Sequence, residues 1–252
     1  MNDVGASWVV TGGIAGLSVL MLAAWPVLAW RAVEPPRRRA QVGRLVAGLA
    51  AWAVGWAALA ASGVLAQIDR RPPPFALLPP LLVVGAVVVL RSPLGAALAR
   101  GTPTWLLIGL QGFRLPLELV MHQAAKEGVM PPQMTFGVMG ESPGLNYDVV
   151  TGALAVLLGL ASFRREVPRA VALGWNLLGL VLLVNVMAVG VASTPLFARF
   201  GTDAAHLNTW VLHAPFVWLP AVLVGSALLG HLLVFRKLLG GALAPAPLET
   251  SG

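Results

Sequence analysis

The chain has 252 residues, 58% of them hydrophobic and only 11% charged, and a mean hydropathy of +0.81. Soluble domains carry about 25% charged residues, so the charge here is too sparse to cover a water-facing surface, and lipid is the solvent the composition fits. The net charge of +7 would suit nucleic acid, but the basic residues sit in short clusters between apolar runs, as membrane topology signals do, so nucleic acid is not an expected partner. With no cysteine in the chain, disulfides, thiolate metal sites, iron–sulfur clusters and a cysteine nucleophile are excluded.

Seven apolar runs follow one another, at 7–30, 44–66, 75–90, 103–125, 148–163, 169–193 and 208–239. They predict an all-α, polytopic transmembrane helix bundle forming one domain over 1–239, with 240–252 as a flexible cytoplasmic tail. The start Met1-Asn2-Asp3 is acidic and the first run is long, so it reads as a retained span rather than a cleaved signal. A helix needs about 20 residues to cross about 30 Å of hydrocarbon, and the third and fifth runs are short by that measure. The third is also flanked by Pro79-Pro80 and Pro93, and a tilted or re-entrant segment is expected there if anywhere. With the N-terminus outside, twelve Arg and Lys fall in inner segments and four in outer ones, Arg114 alone lying within a span. That asymmetry predicts seven spans and a cytoplasmic C-terminus.

Small residues recur four apart at Gly12/Gly16, Ala51/Gly55 and Ala155/Gly159, a spacing that lets helices approach closely in lipid. No internal repeat of the kind found in inverted-repeat transporters is evident. The longest connection, 126–147, carries Met130, Met134, Phe136 and Tyr147, and this content predicts an ordered cap on the outer face.

The fourth run holds the densest polar pattern. Gln111, Arg114, Glu118 and His122 follow at steps of three, four and four, which places them on one helical face within about 80°. Ionisable groups at the bilayer centre cost about 2.5–3.5 kcal/mol each on insertion scales, so this face turns away from lipid, and Arg114 and Glu118 are expected to neutralise each other in part. Pro116, Gly109 and Gly112 loosen the same helix. Two readings remain open: a polar site for transport, proton relay or catalysis, or a buried pair that locks helices together.

Of the four histidines, His122, His206 and His213 fall in the predicted outer half. A divalent metal ion or a proton relay built from His122, His213 and His206 with Glu118 is one reading; separate hydrogen-bonding histidines are the other. His213 and His231 are about 27 Å apart along one helix and cannot share an iron, which leaves a single outer-half haem between His122 and His213 as the geometrically allowed cofactor site. A retinal Schiff base has no buried lysine to use, since Lys126 and Lys237 both lie at span ends. Asn176 and Asn185 point to opposite faces of the sixth run, and Asn185 is expected to join the polar stripe. Pro215 and Pro220 predict a kink at the start of the seventh run, with Trp218 as an interfacial anchor.

The runs Gln111-Gly112-Phe113-Arg114, Pro132-Gln133-Met134-Thr135-Phe136, Asn146-Tyr147-Asp148, Trp175-Asn176 and Pro215-Phe216-Val217-Trp218-Leu219-Pro220 resemble those of bacterial multi-pass membrane proteins with no assigned activity. The resemblance covers the chain from the fourth run onward. It implies a bacterial inner membrane and transfers no residue role. Beyond the lipid bilayer, the expected partner is a small polar or anionic substrate for a transporter or channel-like protein. The alternatives are a membrane-embedded enzyme or cofactor protein with a lipid-like or quinone-sized ligand, and an assembly subunit without chemistry.

Overall fold

A computed structural model describes residues 5–139 and 142–240; the predicted tail beyond Gly240 lies outside the described residues. The chain is helical almost throughout. The helices are α1 (Trp8–Ala32), α2 (Pro35–Ala61), α3 (Leu78–Arg91), α4 (Pro93–Gly101), α5 (Thr104–Leu110), α6 (Arg114–Lys126), α7 (Asp148–Ala161), α8 (Arg169–Ala192) and α9 (Gly225–Gly240). A 3₁₀ turn, Gln111–Phe113, joins α5 to α6, and a π-helical stretch, Leu219–Val224, leads into α9. A two-residue ladder pairs β1 (Val138–Met139) with β2 (Ser142–Pro143) antiparallel.

Among the described residues, five helical segments, against the seven expected, are long and apolar enough to cross a membrane: Trp8–Ala32, Pro35–Ala61, Pro74–Arg91, Arg169–Ala192 and Leu219–Gly240; the fourth run is split by the 3₁₀ turn and the fifth forms the shorter α7. Their surfaces show why lipid suits them, since Val19, Leu20, Val54, Val84, Val88, Leu177, Val181 and Val184 are all exposed. The third run, expected to be the doubtful one, forms a continuous helix because Pro79 and Pro80 fall in its first turn, where a missing N–H costs nothing. The second begins at Pro35 rather than residue 44, taking the Arg37–Arg39 cluster into its first turns. The seventh becomes a long helix only from Leu219; residues 208–218 form turns, with a 3₁₀ element at Trp210–Leu212.

The two ends of the bundle differ. At one, Lys237 Nζ donates to the Ala99 carbonyl at 3.1 Å, and Arg236 donates to the Leu90 carbonyl; this basic end also carries Arg31, Arg91 and Arg100 in the last turns of their helices. At the loop end, the Ser7 amide donates to Glu127 Oε2 at 2.9 Å, and these bonds hold the Glu127 carboxyl below the usual carboxylate range. Gln133 Nε2 donates there to Ser193 Oγ at 3.0 Å and to the His206 carbonyl at 2.9 Å.

α7 is the exceptional element. It runs antiparallel against α5 and α6, and glycine makes the fit: a Cβ on Gly152 would lie 2.5 Å from the Leu115 amide nitrogen, and one on Gly159 would lie 2.9 Å from Gly109 Cα. This register sets Asp148, the first residue of α7, beside Arg114. Arg114 lies about 15 Å along a helical run about 34 Å long from Thr104 to Lys126, so α7 starts at mid-depth. The segment 127–147 therefore descends into the bundle instead of capping it. Met130, Gln133, Met134, Thr135 and Asn146 are all buried, and Asn185 Nδ2 on α8 fixes the descent by donating to the Leu145 carbonyl at 2.7 Å. The described residues of this loop form a buried plug rather than a cap over the helix ends.

Of the three small-residue pairs, Ala155/Gly159 packs at a helix interface, whereas Gly12, Gly16, Ala51 and Gly55 are exposed. Gly152→Val is accordingly expected to push α7 off α6 and to lower stability by about 1–3 kcal/mol, as overpacking does. Gly55→Ala should leave the thermal unfolding midpoint in detergent unchanged, because a Cβ there meets open space. Equal midpoints for the two variants would contradict the register given for α7.

Candidate functional site

The centre of the bundle holds a connected polar cluster drawn from five elements. Arg114, 1% exposed, is the first residue of α6. Its Nε donates to Asp148 Oδ2 at 2.6 Å and its Nη2 donates to Asp148 Oδ1, so the guanidinium is bound by the carboxylate in fork-to-fork fashion. Nη2 also lies 3.4 Å from the Gly179 carbonyl of α8. Nη1 lies 2.7 Å from His231 Nε2 on α9.

The tautomer of His231 follows from its partner. A guanidinium has donors and no acceptor, so His231 Nε2 must accept. The ring proton is then on Nδ1, which donates to Asn176 Oδ1 at 2.8 Å. That fixes the Asn176 amide in turn, and its Nδ2 donates to the His231 carbonyl at 3.1 Å. Trp175 packs on the imidazole with ring centroids 5.3 Å apart, and Gly179 leaves space for the ring, since a Cβ there would lie 2.5 Å from His231 Cε1.

Glu118 stands one helical turn from Arg114 toward the loop end, and is 1% exposed. The expected i,i+4 ion pair with Arg114 does not form: among the described residues the ion pair of Arg114 is with Asp148. Glu118 Oε2 instead accepts from Asn146 Nδ2 at 2.8 Å. Asn146 also donates to the Met134 carbonyl at 3.2 Å, and its Oδ1 accepts from the Asp148 amide at 2.9 Å. One asparagine from the plug thus accepts from the first amide of α7 and holds the second carboxyl.

The remaining candidates separate. Gln111 is fully buried; its Nε2 donates to the Ala227 carbonyl at 3.4 Å, and its Oε1 has no partner among the described residues. His122 turns to the plug, with Nδ1 3.2 Å from Thr135 Oγ1 and its ring stacked on Phe136 at 4.9 Å. His206 is at the surface with Nδ1 2.9 Å from Asp203 Oδ2. His213 lies in the turn before the π-helical stretch, next to Leu212, which packs against Trp56 and Leu78. The three histidines are thus committed to different neighbourhoods, and no group of three or more His, Asp or Glu among the described residues is placed to hold a metal ion. The divalent-metal reading is left without a ligand set of that size among the described residues. Asn185 holds the plug backbone rather than joining the polar stripe. Trp218, expected as an interfacial anchor, donates its indole N–H to the Ala53 carbonyl of α2 at 2.9 Å.

Sequence reasoning missed Asp148, His231, Asn176 and Asn146 as parts of this site. A signal for the first was present. Glu118 and Asp148 are the acids that fall within the seven apolar runs, and a lone intramembrane arginine needs an acid. His231 and the two asparagines had no comparable mark, because their role depends on which helix faces they meet.

No known protein family, curated protein or solved structure matches the chain. The reading of this site rests on its own geometry.

Removing one partner of a buried ion pair strands the other charge, at a cost of about 3–5 kcal/mol, whereas replacing both by apolar groups is often neutral. Asp148→Ala is therefore expected to lower the unfolding midpoint sharply, and Arg114→Leu combined with Asp148→Leu to recover most of the loss. A double variant as unstable as the single one would show that the cluster contributes more than charge compensation.

Proposed function

We propose that the protein is a small proton-coupled transporter of a polar or anionic solute, crossing a bacterial inner membrane seven times, with its N-terminus outside and its C-terminus in the cytoplasm. The fifth crossing would consist of the plug 127–147 followed by the half-length α7. Two features support this topology: the clustering of basic residues at one end of the bundle, and the return of the chain to alternate ends at each helical run.

The observation that carries the transport reading is the position of Glu118. The cluster holds one guanidinium and two carboxyl groups, and Asp148 takes the guanidinium. Glu118 is left with an amide partner supplied by a non-helical, re-entrant segment, so a single proton on the cluster balances its charge. The helical run that carries it, α5–α6, is interrupted by the 3₁₀ turn at Gln111–Phe113, and the last span beside it by the π-helical stretch Leu219–Val224. Interrupted helices and non-helical backbone at mid-depth are the means by which transporters build sites near the bilayer centre. A small cavity of about 20 Å³ with apolar walls adjoins Arg114, Glu118 and Asp148.

The protein reconstituted in proteoliposomes with an internal pH-sensitive dye, and presented in turn with a panel of small polar and anionic solutes, is expected to carry a solute-dependent proton flux with at least one of them. Glu118→Gln should reduce that flux at least tenfold while keeping the unfolding midpoint. Equal flux in both, or none above protein-free vesicles, would rule the proposal out. The competing reading, a structural lock, draws on the completeness of the network, in which each nitrogen of Arg114 and of the His231 ring has a partner. It predicts that the apolar double replacement of Arg114 and Asp148 leaves the protein's activity unchanged.

A further inference from the structure

A second cavity shares no lining residue with the polar cluster. It is a crevice of about 550 Å³ between α1, α2, α3 and the last span. Its origin is legible in the packing. α2 is fastened at one level by two reciprocal indole bonds, Trp52 Nε1 to the Ala221 carbonyl at 2.9 Å and Trp218 Nε1 to the Ala53 carbonyl at 2.9 Å. Below that level, toward the basic end, the facing positions Gly48 and Gly85 have no side chains, and a Cβ built on either meets nothing within 4 Å. A wall of this kind cannot close on itself, and an empty apolar void in a bilayer forfeits dispersion contacts that hydrocarbon would supply.

The crevice has a polar end and a closed end. Gln41 and Arg44 line the mouth. Gln41 Oε1 is buried without a partner among the described residues, and the bond recorded for Arg44 uses Nε alone, to the Ala40 carbonyl at 3.2 Å, leaving both terminal nitrogens for a ligand. The far end is closed by Trp52 and Ala221. From Gln41 to Trp52 along α2 is about 16 Å, half of the roughly 30 Å of hydrocarbon in a bilayer. On its inner wall, Trp25 Nε1 is satisfied by Ser226 Oγ at 3.1 Å.

We propose that this crevice holds the acyl chain of an anionic phospholipid from the leaflet at the basic end, with the phosphate at Arg44 and a headgroup hydroxyl donating to Gln41 Oε1. The depth matches one leaflet, the walls are apolar, and the charge at the mouth is complementary to an anionic headgroup, as in basic pockets between membrane helices. The proposal rests on the membrane reading and is independent of proton transport by Glu118.

Native mass spectrometry of the full chain in detergent, titrated with phosphatidylglycerol or with phosphatidylcholine, tests it. The wild type should retain one phosphatidylglycerol in preference to phosphatidylcholine. Arg44→Gln should reduce that preference about fivefold. Gly48→Leu combined with Gly85→Leu should fill the crevice and abolish retention of both lipids, with the unfolding midpoint kept, because both side chains enter open space. Glu118→Gln should leave retention unchanged, which separates this outcome from failure of the transport reading. Equal retention of the two lipids by the wild type, retention undiminished in the glycine double variant, or no phospholipid held at all would each overturn the proposal.

Discussion

A guanidinium halfway through an apolar bundle is the constraint on which the rest of this structure depends. Arg114, 1% exposed, cannot reach water from the middle of a helical run about 34 Å long. It must therefore be met by an anion and by acceptors at the same depth. Asp148, His231 and the Gly179 carbonyl supply these from three other helices, and each delivery fixes a piece of architecture. α9 must present His231 as a neutral acceptor, α8 must approach closely enough to offer a carbonyl, and α7 must begin where the arginine is.

The last requirement has the widest consequences. A helix that starts at mid-depth leaves the other half of its passage to be filled by irregular backbone, whose polar groups lipid cannot satisfy. The plug solves this by internal bonding: Gln133, Asn146 and Asn185 tie it to α8, to the 193–206 region and to its own strands of chain. Asn146 alone joins the plug, the start of α7 and Glu118. The polar residues of this half of the molecule act as one network, and a change at the plug would be felt at Glu118.

The polar centre and the apolar crevice show two answers to the same packing problem. Around Arg114, glycines at 152 and 179 bring helices together until backbone and ring touch. Between α2 and α3, glycines at 48 and 85 stand where no partner approaches, and space remains. The same residue type closes one interface and opens the other, and the difference lies in what the neighbouring helix carries. The indole bonds of Trp52 and Trp218 hold α2 to the π-helical stretch and keep it from leaning onto α3.

By itself the sequence determined the solvent and the class of fold. Composition demanded lipid, apolar runs located the helices, although the second starts nine residues earlier and the last long helix eleven residues later than its run, and the spacing of Gln111, Arg114 and Glu118 placed a buried polar face on the fourth run. These are local properties, set by hydropathy and by the 3.6-residue period of the helix. The partners of that face were decided by tertiary structure. Arg114 had an acid four residues away, yet the fork geometry of a guanidinium is better met by Asp148 coming head-on from another helix than by Glu118 from its own. The prolines of the third run looked like a break, but the first turn of a helix has no hydrogen bond for them to lose. Irregular backbone enters the bundle instead at the plug, because Arg114 is met by Asp148 at its own depth.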